Sequence, residues 1–142
     1  MRRTLAGGLE LDDDPARVDV EEVTRFLREE SYWAQGRGVE QQRTLVENAT
    51  LVVGLYSGRR QIGFARAVSD GVSFAYLADV YVHRDFRGRG LGVELVRAIV
   101  AEGPLAGLRW LLQTRDAQGL YRKVGFGIPE AESMERRPPE PA

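Results

Sequence analysis

The chain is 142 residues long, 43% hydrophobic and 29% charged, with a formal net charge of −1 and a pI near 5.9. That length suits one domain with an ordinary core, and so small a net charge excludes general attraction to nucleic acid or an anionic membrane, so phosphate binding must be local. With no cysteine and one histidine, the chain has no disulfide framework and no thiolate nucleophile, and a structural zinc site is not expected.

Thr4 to Leu11 reads as an opening strand, ended by Asp12-Asp13-Asp14-Pro15. Asp19 is the expected N-cap of a helix to about Glu30, with Glu22 completing a capping box and Val20, Val23, Phe26 and Leu27 on one face. Ser31 to Gly38 is a loop with two large aromatics, Tyr32 and Trp33, and a second helix follows over 39–48. Thr50 to Tyr56 reads as a buried strand and Ser57-Gly58-Arg59 as a hairpin turn. Gln61 to Val68 returns, Asp70-Gly71 turns again, and Val72 to Val82 is a third hairpin strand. A glycine-rich loop then opens a helix that Gly103-Pro104 stops. Leu108 to Gln113 is a strand, Asp116 to Val124 a short helix, and the residues from Gly125 a final strand. Residues 136–142, with three prolines, read as a frayed tail after a single domain over 1–135. This order implies an α+β layer fold.

The most informative stretch is Arg87-Gly88-Arg89-Gly90-Leu91-Gly92. Its glycines remove the Cβ atoms that would keep a ligand off the backbone. Leu91, Leu95, Val96 and Ile99 then recur at a helical period. The first N–H groups of a helix lack partners inside it and carry the positive end of its dipole, so the loop is suited to phosphate. Arg87 and Arg89 add charge at the rim. A P-loop is excluded, because the glycines run into Val93-Glu94 with no Lys and no hydroxyl. A dinucleotide fingerprint fails because its third glycine would fall on Val93 or Leu95. The bland alternatives are a solvated turn or a basic RNA-binding tract, and the ordered, periodic context speaks against both.

What remains is Arg/Gln-x-x-Gly-x-Gly, met by Arg87, Gly90 and Gly92, and Asp116-Ala117-Gln118-Gly119-Leu120-Tyr121-Arg122-Lys123-Val124-Gly125-Phe126 downstream. Both motifs resemble the GNAT-type acyl-CoA N-acyltransferase superfamily, in the same order and at about the same spacing, and the resemblance covers residues 4 to 128. It implies a mixed, mostly antiparallel central sheet flanked by about four helices. It also implies a cytoplasmic N-acetyltransferase moving an acetyl group directly from acetyl-CoA to a primary amine, without a metal. The rival is a non-catalytic acyl-CoA-binding domain. Partners are then a small-molecule or peptide amine, with no nucleic acid and no membrane; pairing into a homodimer stays open. No apolar run is long enough for a membrane helix, and the N-terminus lacks a signal-peptide core.

The resemblance assigns Arg87, Gly88, Arg89, Gly90, Leu91 and Gly92 to the pyrophosphate, and the main chain of Val80, Tyr81 and Val82 to the pantetheine arm. Tyr121 becomes the general acid: a hydroxyl with pKa near ~10 can protonate a departing thiolate whose thiol is near ~8.5. The alternative is a core aromatic beside Leu120 and Phe126. Asp79 lies inside the apolar run Ala75 to Val82, on one face with Leu77 and Tyr81 by period two. Burial would raise its pKa and make it a base; the competing reading is a structural partner for an Arg. Asp116 stands where relatives carry an Asn facing the cofactor, and is otherwise a helix N-cap. Tyr32 and Trp33 are expected in the acceptor wall or in a plug between the first two helices. His83 reads as a solvated or packed residue and not a catalyst, Trp110 as core, and Glu29 and Glu30 as a solvated helix end in preference to an attractor of a cationic amine.

Overall fold

Six strands in chain order form one sheet in the computed structural model, which describes residues 1–140. They are β1 Arg2–Thr4, β2 Glu10–Asp12, β3 Leu51–Ser57, β4 Arg60–Ser69, β5 Phe74–Val82 and β6 Arg109–Leu111. Neighbours are antiparallel except β5 and β6, which run parallel. Helices α1 Val20–Glu30 and α2 Val39–Glu47 cover one face, while α3 Leu91–Val100 and α4 Gln118–Arg122 cover the other. The α+β architecture inferred from the sequence is thus present, a mixed and mostly antiparallel sheet with four helices.

Two elements differ from expectation. The single opening strand is a hairpin, because Gly7 and Gly8 adopt φ of 77° and 75° and turn the chain between β1 and β2. The final strand does not form over the described residues: 126–140 carry neither helix nor strand. Phe126 packs on the core, and its N–H donates to the Tyr121 carbonyl at 3.1 Å instead of to a strand partner. Of the tail expected over 136–142, residues 136–140 are exposed and irregular, and 141 and 142 lie outside the described residues. Among the described residues no helix is long and apolar enough to cross a membrane.

The cap of α1 forms half of its box. Asp19 accepts from Glu22 N–H at 3.1 Å, but the Glu22 carboxylate turns to Arg25, and Asp19 N–H donates to Gln61 Oε1 at 2.7 Å. The apolar stripe read on α3 is the core stripe: Leu91, Leu95, Val96 and Ile99 are buried against the strands. Each such side chain contributes about 1.5–3 kcal/mol relative to exposure, which fixes α3 and hence the loop before it.

One residue sets the site. Phe64 lies opposite Tyr81 and Arg66 opposite Ala78, so Ala65 alone faces Asp79 and Val80, a β-bulge with Asp79 at φ 57°. The bulge reverses the alternation of β5. Ala75 and Leu77 before it and Val80 and Val82 after it pack on the α3 side, while Tyr81 packs on the α1 side. The expectation that Asp79 shares a face with both Leu77 and Tyr81 is therefore corrected: Leu77 and Tyr81 lie on opposite faces because the extra residue shifts the phase.

Candidate active site

β5 and β6 pair only from Phe74 opposite Arg109 to Tyr76 opposite Leu111. Beyond Tyr76 no strand among the described residues flanks this edge of β5, and a cleft of about 1140 Å³ opens there. Val80, Tyr81 and Val82 line it from the strand, Gly88, Gly90, Leu91 and Gly92 from the start of α3, and Asp116 and Tyr121 from around α4.

The loop is held by local bonds. Phe86 N–H donates to His83 O at 2.9 Å, Arg87 N–H to Arg84 O at 3.3 Å, and Arg87 Nε reaches back to Val82 O at 3.1 Å. Gly88 and Gly90 adopt φ of 80° and 74°, and Gly90 is the N-cap of α3 without any side-chain cap. As a result the N–H groups of residues 88–93 donate to no group among the described residues. A Cβ on Gly90 would meet nothing within 4 Å, so the space before these N–H groups is open. Six free donors at a helix start form an anion cradle without any formal charge. Arg89 lies over the Phe86 ring at 5.3 Å, at the rim. Gly92 also serves packing, since a Cβ there would stand 3.4 Å from Leu120 Cδ1 of α4.

Tyr121 packs edge-to-face on Phe126, with ring centroids 5.9 Å apart, and its hydroxyl makes no hydrogen bond among the described residues. Burial pushes the Tyr121 hydroxyl up to about 12, with Tyr32 and Asp116 adding to the effect, so the group stays protonated at neutral pH. Tyr32 spans the cleft end: its hydroxyl accepts from Arg115 N–H at 2.8 Å, and the Arg115 guanidinium lies 4.2 Å over its ring. Asp116 does not cap α4, correcting that alternative. The N-cap is Ala117, whose own N–H donates to Thr114 Oγ1 at 3.0 Å.

Asp79 is buried at 3% exposure on the α2 side of the sheet. Its Oδ1 accepts from Trp33 Nε1 at 3.2 Å and Arg37 Nη1 at 2.8 Å; its Oδ2 accepts from Arg37 Nη1 at 2.8 Å, Arg66 Nε at 3.0 Å and Gln42 Nε2 at 3.2 Å. Burial alone would raise its pKa, but Arg66, Arg37 and Gln42 together hold it below the usual carboxylate range. The expected base is thus corrected, because both oxygens are occupied by donors and two cations favour the ionised form. Asp79 ties the loop with Trp33 and Arg37 to α2 and β4 beneath the cleft. Trp33 accordingly stands on the site rather than between α1 and α2.

The packed readings of the remaining residues fit. His83 Nδ1 accepts from Asp85 N–H at 3.2 Å, with Nε2 3.1 Å from Arg60. Tyr81 stacks on Phe26 at 4.1 Å, so only its main chain faces the cleft side. Trp110 is half-buried, donating to Leu105 O at 3.0 Å. Glu29 pairs with Arg25, and Glu30 with Arg84. The sequence reading missed Arg37, Gln42 and Arg66. An arginine inside the apolar run Ile62–Val68, one strand from an aspartate inside another, was the available signal.

A family model described as the Acetyltransferase (GNAT) family matches residues 6–126. Among solved structures, a candidate GNAT acetyltransferase from Xanthomonas campestris pv. campestris is 35% identical, covering 92% of this chain and 94% of that one at a TM-score of 0.85. A candidate acetyltransferase from Clostridium acetobutylicum, solved with acetyl-CoA, is 15% identical and shares the fold, with TM-score 0.67 over 91% of this chain and 96% of that one. An uncharacterised N-acetyltransferase of Porphyra purpurea is 30% identical over 96 residues, 63% of this chain and 55% of its own length. The chain spans about half the length of that relative.

Proposed function

The chain belongs to the acetyltransferase (GNAT) family, and from that premise we propose that it moves an acetyl group from acetyl-CoA to a primary amine within a ternary complex. The observation that carries this reading is the run of six free N–H groups, residues 88–93, at a cleft that also holds the unbonded Tyr121 hydroxyl. The cradle accepts the pyrophosphate, with Arg87 and Arg89 at its rim. The open edge of β5 from Leu77 to Val82 pairs with the extended pantetheine arm as an added strand would. An N–H beside the bulge, near Val80, polarises the thioester carbonyl.

Transfer forms the amide N–C bond and breaks the thioester C–S bond. The proton displaced from the amine leaves to solvent, and the Tyr121 hydroxyl protonates the departing sulfur. Because both Asp79 oxygens are engaged, that residue positions the acceptor wall, and water takes the amine proton.

Isothermal titration with acetyl-CoA, against ATP and NAD, tests the cradle, and a primary-amine panel read by thiol release tests the transfer. Micromolar binding of acetyl-CoA alone together with thiol release is expected. Preference for ATP or NAD overturns the ligand, and binding without transfer to any amine would reduce the protein to an acyl-CoA-binding domain.

A further inference from the structure

The buried cluster under the acceptor wall is not electrically balanced. Arg37 and Arg66 share the single carboxylate of Asp79, which leaves one positive charge over. Arg66 is 8% exposed and lines the cleft, yet only its Nε is used; Nη1 and Nη2 donate to no group among the described residues. The body of the side chain is packed while both Nη atoms keep contact with the open cleft, so they are held in place and remain free to receive a ligand group. Among the described residues no carboxylate but Asp79 pairs with Arg66; Asp116 lines the same cleft and makes no ion pair with it, and other polar groups are engaged elsewhere. Glu30 is held by Arg84 at 3.3 Å, Glu135 by Arg137 at 2.5 Å, and the Tyr76 hydroxyl lies 3.4 Å from Gln113 Oε1. Arg115, at the same end of the cleft, faces the Tyr32 ring and no carboxylate.

Resting on the acetyl-transfer reading, we propose that the acceptor amine carries an anionic group, a carboxylate or a phosphate, which the free Nη donors of Arg66 receive. A planar guanidinium offers two parallel N–H donors that match such a group, whereas a neutral or polycationic amine leaves them unsatisfied or repels them. Arg66 is then a specificity residue, and Asp79 fixes its orientation through Nε at 3.0 Å.

The test compares matched acceptors at equal free-amine concentration: amino acids against their amides, and aminoalkyl phosphates against the corresponding amino alcohols. Acetyl-CoA affinity is measured by calorimetry on the same samples. In the unsubstituted protein the anionic member of a pair should show kcat/KM about tenfold higher or more, and Arg66→Gln should shrink that ratio by a similar factor. Which pair shows the preference tells carboxylate from phosphate. A second arm titrates inorganic phosphate and acetate into the CoA-saturated protein, so that the cradle is filled, and follows the Trp33 indole proton by NMR. Saturable binding that Arg66→Gln weakens at least tenfold supports the proposal even when no amine of the panel is turned over. Arg66→Lys, which keeps the charge and loses the fork, should fall between the two. Equal use of anionic and neutral acceptors, with no saturable anion binding, overturns the proposal without touching the acetyl-transfer reading. Failure of acetyl-CoA itself to bind overturns both.

Discussion

Replacing Asp79 by Asn removes one charge from the centre of the cluster while keeping size and backbone preference. Asn tolerates the left-handed region as well as Asp does, so the φ of 57° adds no separate strain. The carboxylate accepts from Trp33, Arg37, Gln42 and Arg66 through two oxygens. An amide offers one oxygen and turns an NH2 group toward donors, and it leaves two guanidinium groups without a counter-charge. Breaking a buried pair in this way costs about 3–5 kcal/mol. With an unfolding entropy near 2.1 cal/mol/K per residue, a chain of 142 residues loses roughly 10–17 °C in Tm. The pH dependence supplies a second check. The Asp79 pKa is lowered in the folded state, so its stabilisation is fully present above the unfolded value near ~3.9 and is lost as pH falls toward the folded value. The gap between the two proteins should therefore be constant above about pH 5 and narrow below about pH 4. Thermal unfolding by circular dichroism from pH 2.5 to 7 measures both. A Tm drop under 3 °C, or a gap unchanged at the lowest pH, refutes the account of the cluster.

Gly90→Val combines a β-branched residue with φ of 74° and directs its side chain into open cleft. Stability should fall by about 1–2 kcal/mol, and acetyl-CoA affinity by a factor of ~10² or more, about two charge-assisted hydrogen bonds; unaltered affinity in calorimetry removes the cradle from the loop. Tyr121→Phe should lower kcat by about 10²–10⁴ while acetyl-CoA affinity changes less than threefold; a fully active variant assigns the acid elsewhere. Because the Tyr121 hydroxyl is pushed up to about 12, its protonated form persists to high pH, and kcat should show no alkaline fall from this group below pH 10. Asp19→Ala removes the cap on Glu22 N–H and should cost about 1 kcal/mol, near 3 °C in Tm, without altering turnover.

What could be read from the chain was what short segments decide for themselves. The period of Leu91, Leu95, Val96 and Ile99 and the Asp19 cap act within one or two turns, and both are where they were expected. The turn at Gly58 and the start of α3 at Gly90 need backbone that glycine supplies, so their places were also legible. The bulge was not, because its position depends on how β4 and β5 align, and alternation along β5 alone gives a continuous phase. With that phase wrong, the partners of Asp79 could not be assigned, and burial without its cations pointed to the opposite pKa shift. The missing final strand has a similar cause. A strand forms only where a neighbour accepts it, Gly125, Gly127, Pro129 and Glu130 are poor strand residues, and Phe126 N–H bonds back to Tyr121 of its own helix.

The bulge also gives β5 one residue more than its ladder with β4 requires. Removing one residue at Asp79 would restore a regular ladder with Ala65, and every side chain after it would keep its side. Val80 and Val82 would stay in the layer under α3 and Tyr81 on the α1 side, so the deletion would take away the buried carboxylate and the local irregularity of the strand while the glycine loop kept its start. The same deletion among residues 130–136, all exposed, would change nothing in the sheet. The spare residue of β5 and the C-terminal segment are therefore extra length of two different kinds. In β5 the extra residue carries the one carboxylate that Arg37 and Arg66 share, and the C-terminal segment is slack.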